Sequence, residues 1–109
     1  MIICITSQGD NLDAKIELHF GRSPYFIIYD TETSKFEVIK NYNLEAESGV
    51  GIQSSKLISD NGVGVVLTGK VGPKASCALA MAGIKVMTFA AETVREAIEQ
   101  YQKGDQMHK

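Results

Sequence analysis

A chain of 109 residues makes one domain of ordinary size and can bury roughly two thirds of the surface it exposes when unfolded, so it needs no metal or disulfide to fold. Its 44% hydrophobic and 22% charged residues are globular values and argue against a disordered tail. With 11 Lys and Arg against 13 Asp and Glu the net charge is −2, which excludes a general nucleic-acid binder and a polybasic membrane anchor.

Ile2 to Thr6 is a short apolar run rich in β-branched residues, ended by Ser7-Gln8-Gly9-Asp10; it reads as a strand covered on both faces. The run lacks the basic lead and long apolar core of a secretory leader, and no later stretch is long and apolar enough to span a bilayer, so the protein is expected to be cytoplasmic. A polar stretch follows to Pro24, offering few core anchors, and is expected to be the least ordered part of the domain. Tyr25 to Tyr29 and Phe36 to Ile39 are strands joined by the turn residues Asp30 to Ser34, hence a hairpin. Val50 to Asp60 is a helix closed by Asn61-Gly62, with Val50, Ser54 and Leu57 on one face. Val63 to Thr68 is a buried strand, and Pro73 opens a helix through Ala82, stopped by Gly83, whose inward stripe is Ala75, Ala78, Leu79 and Ala82. Ile84 to Phe89 is the last strand. Thr93 and Glu96 form a capping box ahead of a stripe of Val94, Ala97, Ile98 and Tyr101, with Gly104 stopping the helix. The expected product is a single domain over residues 1–104 with a frayed tail at 105–109. It is an α/β layered fold, a mixed sheet of about five strands with helices on both faces.

Two groups of motifs stand out in this order. One is His19-Phe20-Gly21-Arg22-Ser23 followed by Phe26-Ile27-Ile28-Tyr29-Asp30. The other is Gly49-Val50-Gly51-Ile52-Gln53, then Thr68-Gly69-Lys70-Val71-Gly72-Pro73-Lys74-Ala75, Ala82-Gly83-Ile84-Lys85-Val86 and Thr93-Val94-Arg95-Glu96-Ala97-Ile98. Together they resemble the dinitrogenase iron–molybdenum cofactor biosynthesis family, which includes the NifX and NafY type of carrier and the C-terminal domain of NifB. The resemblance spans essentially the whole chain. It implies a ribonuclease-H-like fold and non-catalytic binding of an iron–sulfur or iron–molybdenum-type cluster or its precursor, with cluster-assembly proteins as partners. No nucleic acid or membrane is implied, and a monomer or weak dimer is expected.

The family's cofactor-binding histidine lies in the motif that His19 matches, and a neutral imidazole suits iron; otherwise His19 is a surface residue or pins its loop to backbone. Phe20 anchors the loop, and Arg22 either meets the negative charge of a cluster or makes a surface ion pair. Gly69 and Gly72 precede a helix head; they either form a tight strand-to-helix turn or leave amides for an anion. A P-loop is excluded because Val71 replaces the required Ser or Thr, and a dinucleotide fingerprint because Ser54 stands at the third glycine position.

Cys4 belongs to the core, while Cys77 points away from the inward stripe and has no Cys-x-x-Cys partner. Met81 and Met87 are taken as core filler, and His108 is given no role. The first strand carries no acid for a two-metal nuclease, Asp10, Asp13, Glu45 and Glu47 read as solvated loop charge, and no hydrolase elbow is present, so an enzyme is not expected. The cluster carrier is the leading reading. A metal-free module that binds an anion or a protein partner at the same edge is its rival.

Overall fold

The computed structural model describes residues 1–41, 50–88 and 91–107, those at 50–53 and 105–107 by their backbone alone. Glu45, Glu47, Gly49, Phe89 and His108 lie outside the described residues, as do the side chains of Val50, Ile52 and Gln53. Five strands, β1 (Ile2–Ser7), β2 (Tyr25–Asp30), β3 (Phe36–Lys40), β4 (Val65–Thr68) and β5 (Lys85–Thr88), form one sheet in the order β3-β2-β1-β4-β5. Helix α1 is Val50–Asp60, α2 is Pro73–Met81 and α3 is Val94–Met107.

β1 runs parallel to β4, and β4 to β5, while β2 is antiparallel to both β1 and β3. The sheet is therefore mixed, with β2 alone reversed. Alternation along the strands divides the core in two. Ile3, Ile5, Ile27, Tyr29, Val65 and Leu67 face Val94, Ala97 and Ile98 of α3. Cys4, Phe26, Ile28 and Val66 face Ile58 of α1 and Ala75 and Leu79 of α2. Both faces are covered, which is why β1 and β4 are almost continuously apolar.

Helices α1 and α2 close in the same way. Gly62 and Gly83 take φ of 75° and 76°, and the next residue donates back into the helix, Val63 N–H to Ile58 O at 3.4 Å and Ile84 N–H to Leu79 O at 2.9 Å. This is the Schellman closure, in which the apolar residue after glycine packs under the last turn. Val63 and Ile84 thus belong to helix ends, and β4 and β5 start at Val65 and Lys85, later than their hydrophobicity suggests.

Three further expectations are corrected. Met81 is 87% exposed, not core, and Ala82 is exposed as well, because only Ala75 and Leu79 of α2 are buried. Met87 does pack against the α3 side of the core. Gly104 does not end α3, which continues to Met107; glycine lowers helix propensity by about 1 kcal/mol but carries no stop unless a left-handed turn follows. The stretch from Gln8 to Pro24 is also tied down at many points, as described next.

Candidate functional site

Because β1, β4 and β5 are parallel and β3 runs the same way, the carboxyl ends of all four strands share one edge of the sheet. The connection from β1 to β2 lies along this edge. It is anchored in both cores: Ile16 is 6% exposed within the α3-side cluster, and Phe20 is 1% exposed within the α1/α2-side cluster, its ring 5.8 Å from that of Phe26. Burying such side chains is worth roughly 1.5–3 kcal/mol each, which explains how a polar stretch is held.

Backbone hydrogen bonds complete the anchorage. Gln8 N–H donates to Lys15 O, Ile16 N–H to Glu92 O, and Val94 N–H to Ala14 O, all within 2.9–3.0 Å. At its far end, Ser23 is fully buried: its hydroxyl accepts from Ser7 N–H at 3.0 Å and donates to Tyr25 O at 2.6 Å, while Asn41 Nδ2 donates to Ser23 O at 2.9 Å. The polar composition hides this because most of the bonds use main-chain groups, which every residue type carries.

His19 stands just before a 3-10 turn, Phe20–Arg22. It bridges to Lys70 in parallel fashion, with Phe20 N–H donating to Lys70 O at 2.9 Å and Lys70 N–H donating to Leu18 O. The His19 loop therefore lies on the segment that follows β4, as expected if β1 and β4 were parallel neighbours. Gly69 is needed for this approach: a Cβ there would lie 2.7 Å from Leu18 O and 3.0 Å from Leu18 Cα. At Gly72 a Cβ would meet nothing within 4 Å; this residue is the N-cap of α2, with Pro73 in the first turn. Arg22 is exposed on the same turn as His19, its N–H donating to His19 O at 3.1 Å. Cys77 is exposed on α2, whereas Cys4 is buried in β1 with its thiol pushed far above the ordinary range by desolvation.

Sequence reasoning passed over Glu17. Its carboxylate oxygen Oε2 accepts the His19 backbone N–H at 2.9 Å and lies 3.3 Å from His19 Nδ1. The two side chains differ sharply in exposure, His19 at 63% and Glu17 at 18%. Glu17 is itself fixed, its N–H donating to Thr6 O at 3.1 Å and its carbonyl accepting from the Thr6 hydroxyl at 2.7 Å. Thr6 and Thr68, both buried, bring their hydroxyls within 2.8 Å; since the carbonyl takes the Thr6 proton, Thr68 donates to Thr6. The available signal was an acid two residues from the histidine, close enough to reach it from an extended backbone. Leu18, one of the few apolar residues of this stretch, is 55% exposed beside His19.

In an open α/β sheet whose loops gather at the carboxyl edge, that edge is where ligands commonly bind. Residues 1–104 match the family model described as dinitrogenase iron-molybdenum cofactor, and the chain belongs to that family. An uncharacterised protein of Methanocaldococcus jannaschii is 30% identical over 93 residues, 83% of this chain and 79% of that protein. The apo form of the orange protein from Desulfovibrio gigas superimposes with a TM-score of 0.91 at 37% identity, covering 94% of this chain and 88% of the other. A protein from Thermotoga, provisionally assigned as NifB and placed in the DUF35 family, gives 0.85 at 35% identity, with coverage of 94% and 88%. The fold of these neighbours is the layered α/β architecture expected from the sequence. Among the described residues, no helix is long and apolar enough to cross a membrane.

Proposed function

We propose that this protein is a cytoplasmic, non-catalytic carrier of a preassembled metal–sulfur cluster, of the iron–sulfur or iron–molybdenum type, or of its precursor. The observation that carries the reading is His19: an imidazole 63% exposed on a backbone tied to β1 and to the segment after β4, in a chain of the iron–molybdenum cofactor family. A surface histidine without a task has no need of so firm a mount. His19 is the protein ligand to a metal of the cargo. Arg22 and the open backbone at Gly72, at the head of α2, face the negative charge of the sulfide shell. Gly69 acts indirectly, by letting Leu18 and hence His19 sit against the sheet edge.

Among the described residues no three His, Cys, Asp or Glu side chains converge on a point where an ion would sit. A cluster that brings its own bridging sulfides needs only one or two protein ligands, and a carrier that must release its cargo is served by few. Cluster-assembly proteins are the donors and acceptors of that cargo.

The test is anaerobic incubation with synthetic or extracted iron–sulfur species, followed by gel filtration and visible absorption. Stoichiometric colour is expected to stay with the protein. His19→Ala should weaken retention by at least about tenfold, with folding stability unchanged within about 0.5 kcal/mol. Cys77→Ser should bind as the parent does; loss of colour there would make the thiol the ligand. Failure of the parent protein to retain any of several cluster types would favour the metal-free anion- or partner-binding module.

A further inference from the structure

The carboxylate of Glu17 touches His19 twice, and the second contact is chemically informative. The backbone N–H bond alone, at 2.9 Å, would suffice to shape the loop. The contact from the same oxygen to Nδ1, at 3.3 Å, does nothing for the main chain but fixes the ring. An ionised carboxylate only accepts, so the ring nitrogen facing it carries the hydrogen. In a neutral imidazole the other nitrogen then keeps its lone pair. We infer that Glu17 is a positioning residue that holds His19 with its proton on Nδ1 and presents Nε2, outward and unprotonated, as the atom that binds a metal of the cargo. The inference rests on the reading of His19 as ligand and adds which atom ligates and what selects it.

The support behind Glu17 makes the selection firm. Its own main chain is held on both sides by Thr6, which Thr68 holds in turn, so the carboxylate stands on the paired ends of β1 and β4. Its side chain is mostly shielded while the ring it holds is mostly in solvent. A carboxylate behind a ligating imidazole also orients the ring before the metal arrives.

The tautomer is directly measurable in the cargo-free protein. Histidine 15N shifts of the full chain would be recorded across a pH series, with His19→Ala assigning the signal against that of His108. The expected result is a proton on Nδ1 in the parent. Glu17→Gln, whose amide oxygen still accepts, should keep that tautomer. Glu17→Ala should lose it and retain cluster about tenfold less well, the lower end of what such supporting partners contribute. A parent His19 protonated on Nε2, or a Glu17→Ala protein still protonated on Nδ1, would overturn the inference. If the tautomers behave as expected and His19→Ala nonetheless holds the cluster, the positioning by Glu17 stands and the ligand role of His19 falls.

Discussion

Gly69 and Gly72 stand on the same connection and serve different ends. At Gly69 the neighbour is main chain, Leu18 O and Cα, which cannot swing aside as a flexible side chain would. Gly69→Ala is expected to destabilise the fold by about 1–3 kcal/mol, the usual cost of overpacking, and to weaken cluster retention by lifting the His19 loop. Gly72→Ala meets no neighbour within 4 Å and should cost under about 1 kcal/mol as an N-cap change. A large loss of retention there, in a protein that melts normally, would mark the open backbone as part of the site. Urea unfolding beside cluster retention reads both variants. The sequence lists both glycines after a strand and before a helix, and the distinction lies in a contact with Leu18 that no local pattern encodes. The cysteines were easier to read. Cys4 is flanked by Ile3 and Ile5 in a buried strand, and burial raises its thiol pKa by disfavouring the thiolate, whereas Cys77 is exposed. A thiol reagent should therefore modify one cysteine in the native protein and both after unfolding. Rapid reaction of Cys4 in the native state would contradict that core.

At the scale of elements, periodicity and capping chemistry were legible, and boundaries were legible where a side chain makes the boundary. The Thr93 cap forms in its first half, with Glu96 N–H donating to Thr93 Oγ1 at 3.2 Å; the return bond is shifted by one residue, the Glu96 carboxylate accepting from Glu92 N–H at 3.2 Å and not from Thr93. The strand starts were misplaced because an apolar residue after glycine reads equally well as helix closure or first strand residue. The anchorage of the β1–β2 connection is hidden for a deeper reason: polarity reports the few core anchors and says nothing of main-chain pairing. Ile16 and Phe20 were visible as apolar residues, but their burial on opposite faces depends on the assembled sheet. Hydrogen exchange is expected to divide this connection. The amides of Ile16, Glu17 and Phe20, which donate to Glu92, Thr6 and Lys70, should be protected, and the exposed tip around Asn11 and Asp13 should exchange fast. Uniformly fast exchange from Gln8 to Pro24 would restore the expectation of a loose loop.

For the molecule as a whole, the arrangement of strands gathers the candidate site at one edge. α1 ends shortly before β4 begins, α2 starts after β4 ends, and α3 follows β5, so all three helices point their N-termini toward the carboxyl edge. The β1–β2 connection crosses that edge with Ile16 in one core and Phe20 in the other, leaving His19 outside between them. Cargo held there touches a segment anchored in both halves of the domain, and it finds that segment only in the folded protein. Binding should therefore stabilise the native state against global unfolding, not one face of it. At a free cluster concentration about a hundredfold above Kd the gain is about 2.7 kcal/mol, a shift of about 1–2 M in the urea midpoint for a domain of this size, with the slope unchanged. In His19→Ala, bound about tenfold more weakly, the same cluster concentration should give about half that gain. Anaerobic urea titrations with and without cluster measure both. A cluster that stays bound yet leaves the midpoint unmoved would be held equally by the unfolded chain, which would place the ligands in the sequence and not in the edge that the fold builds.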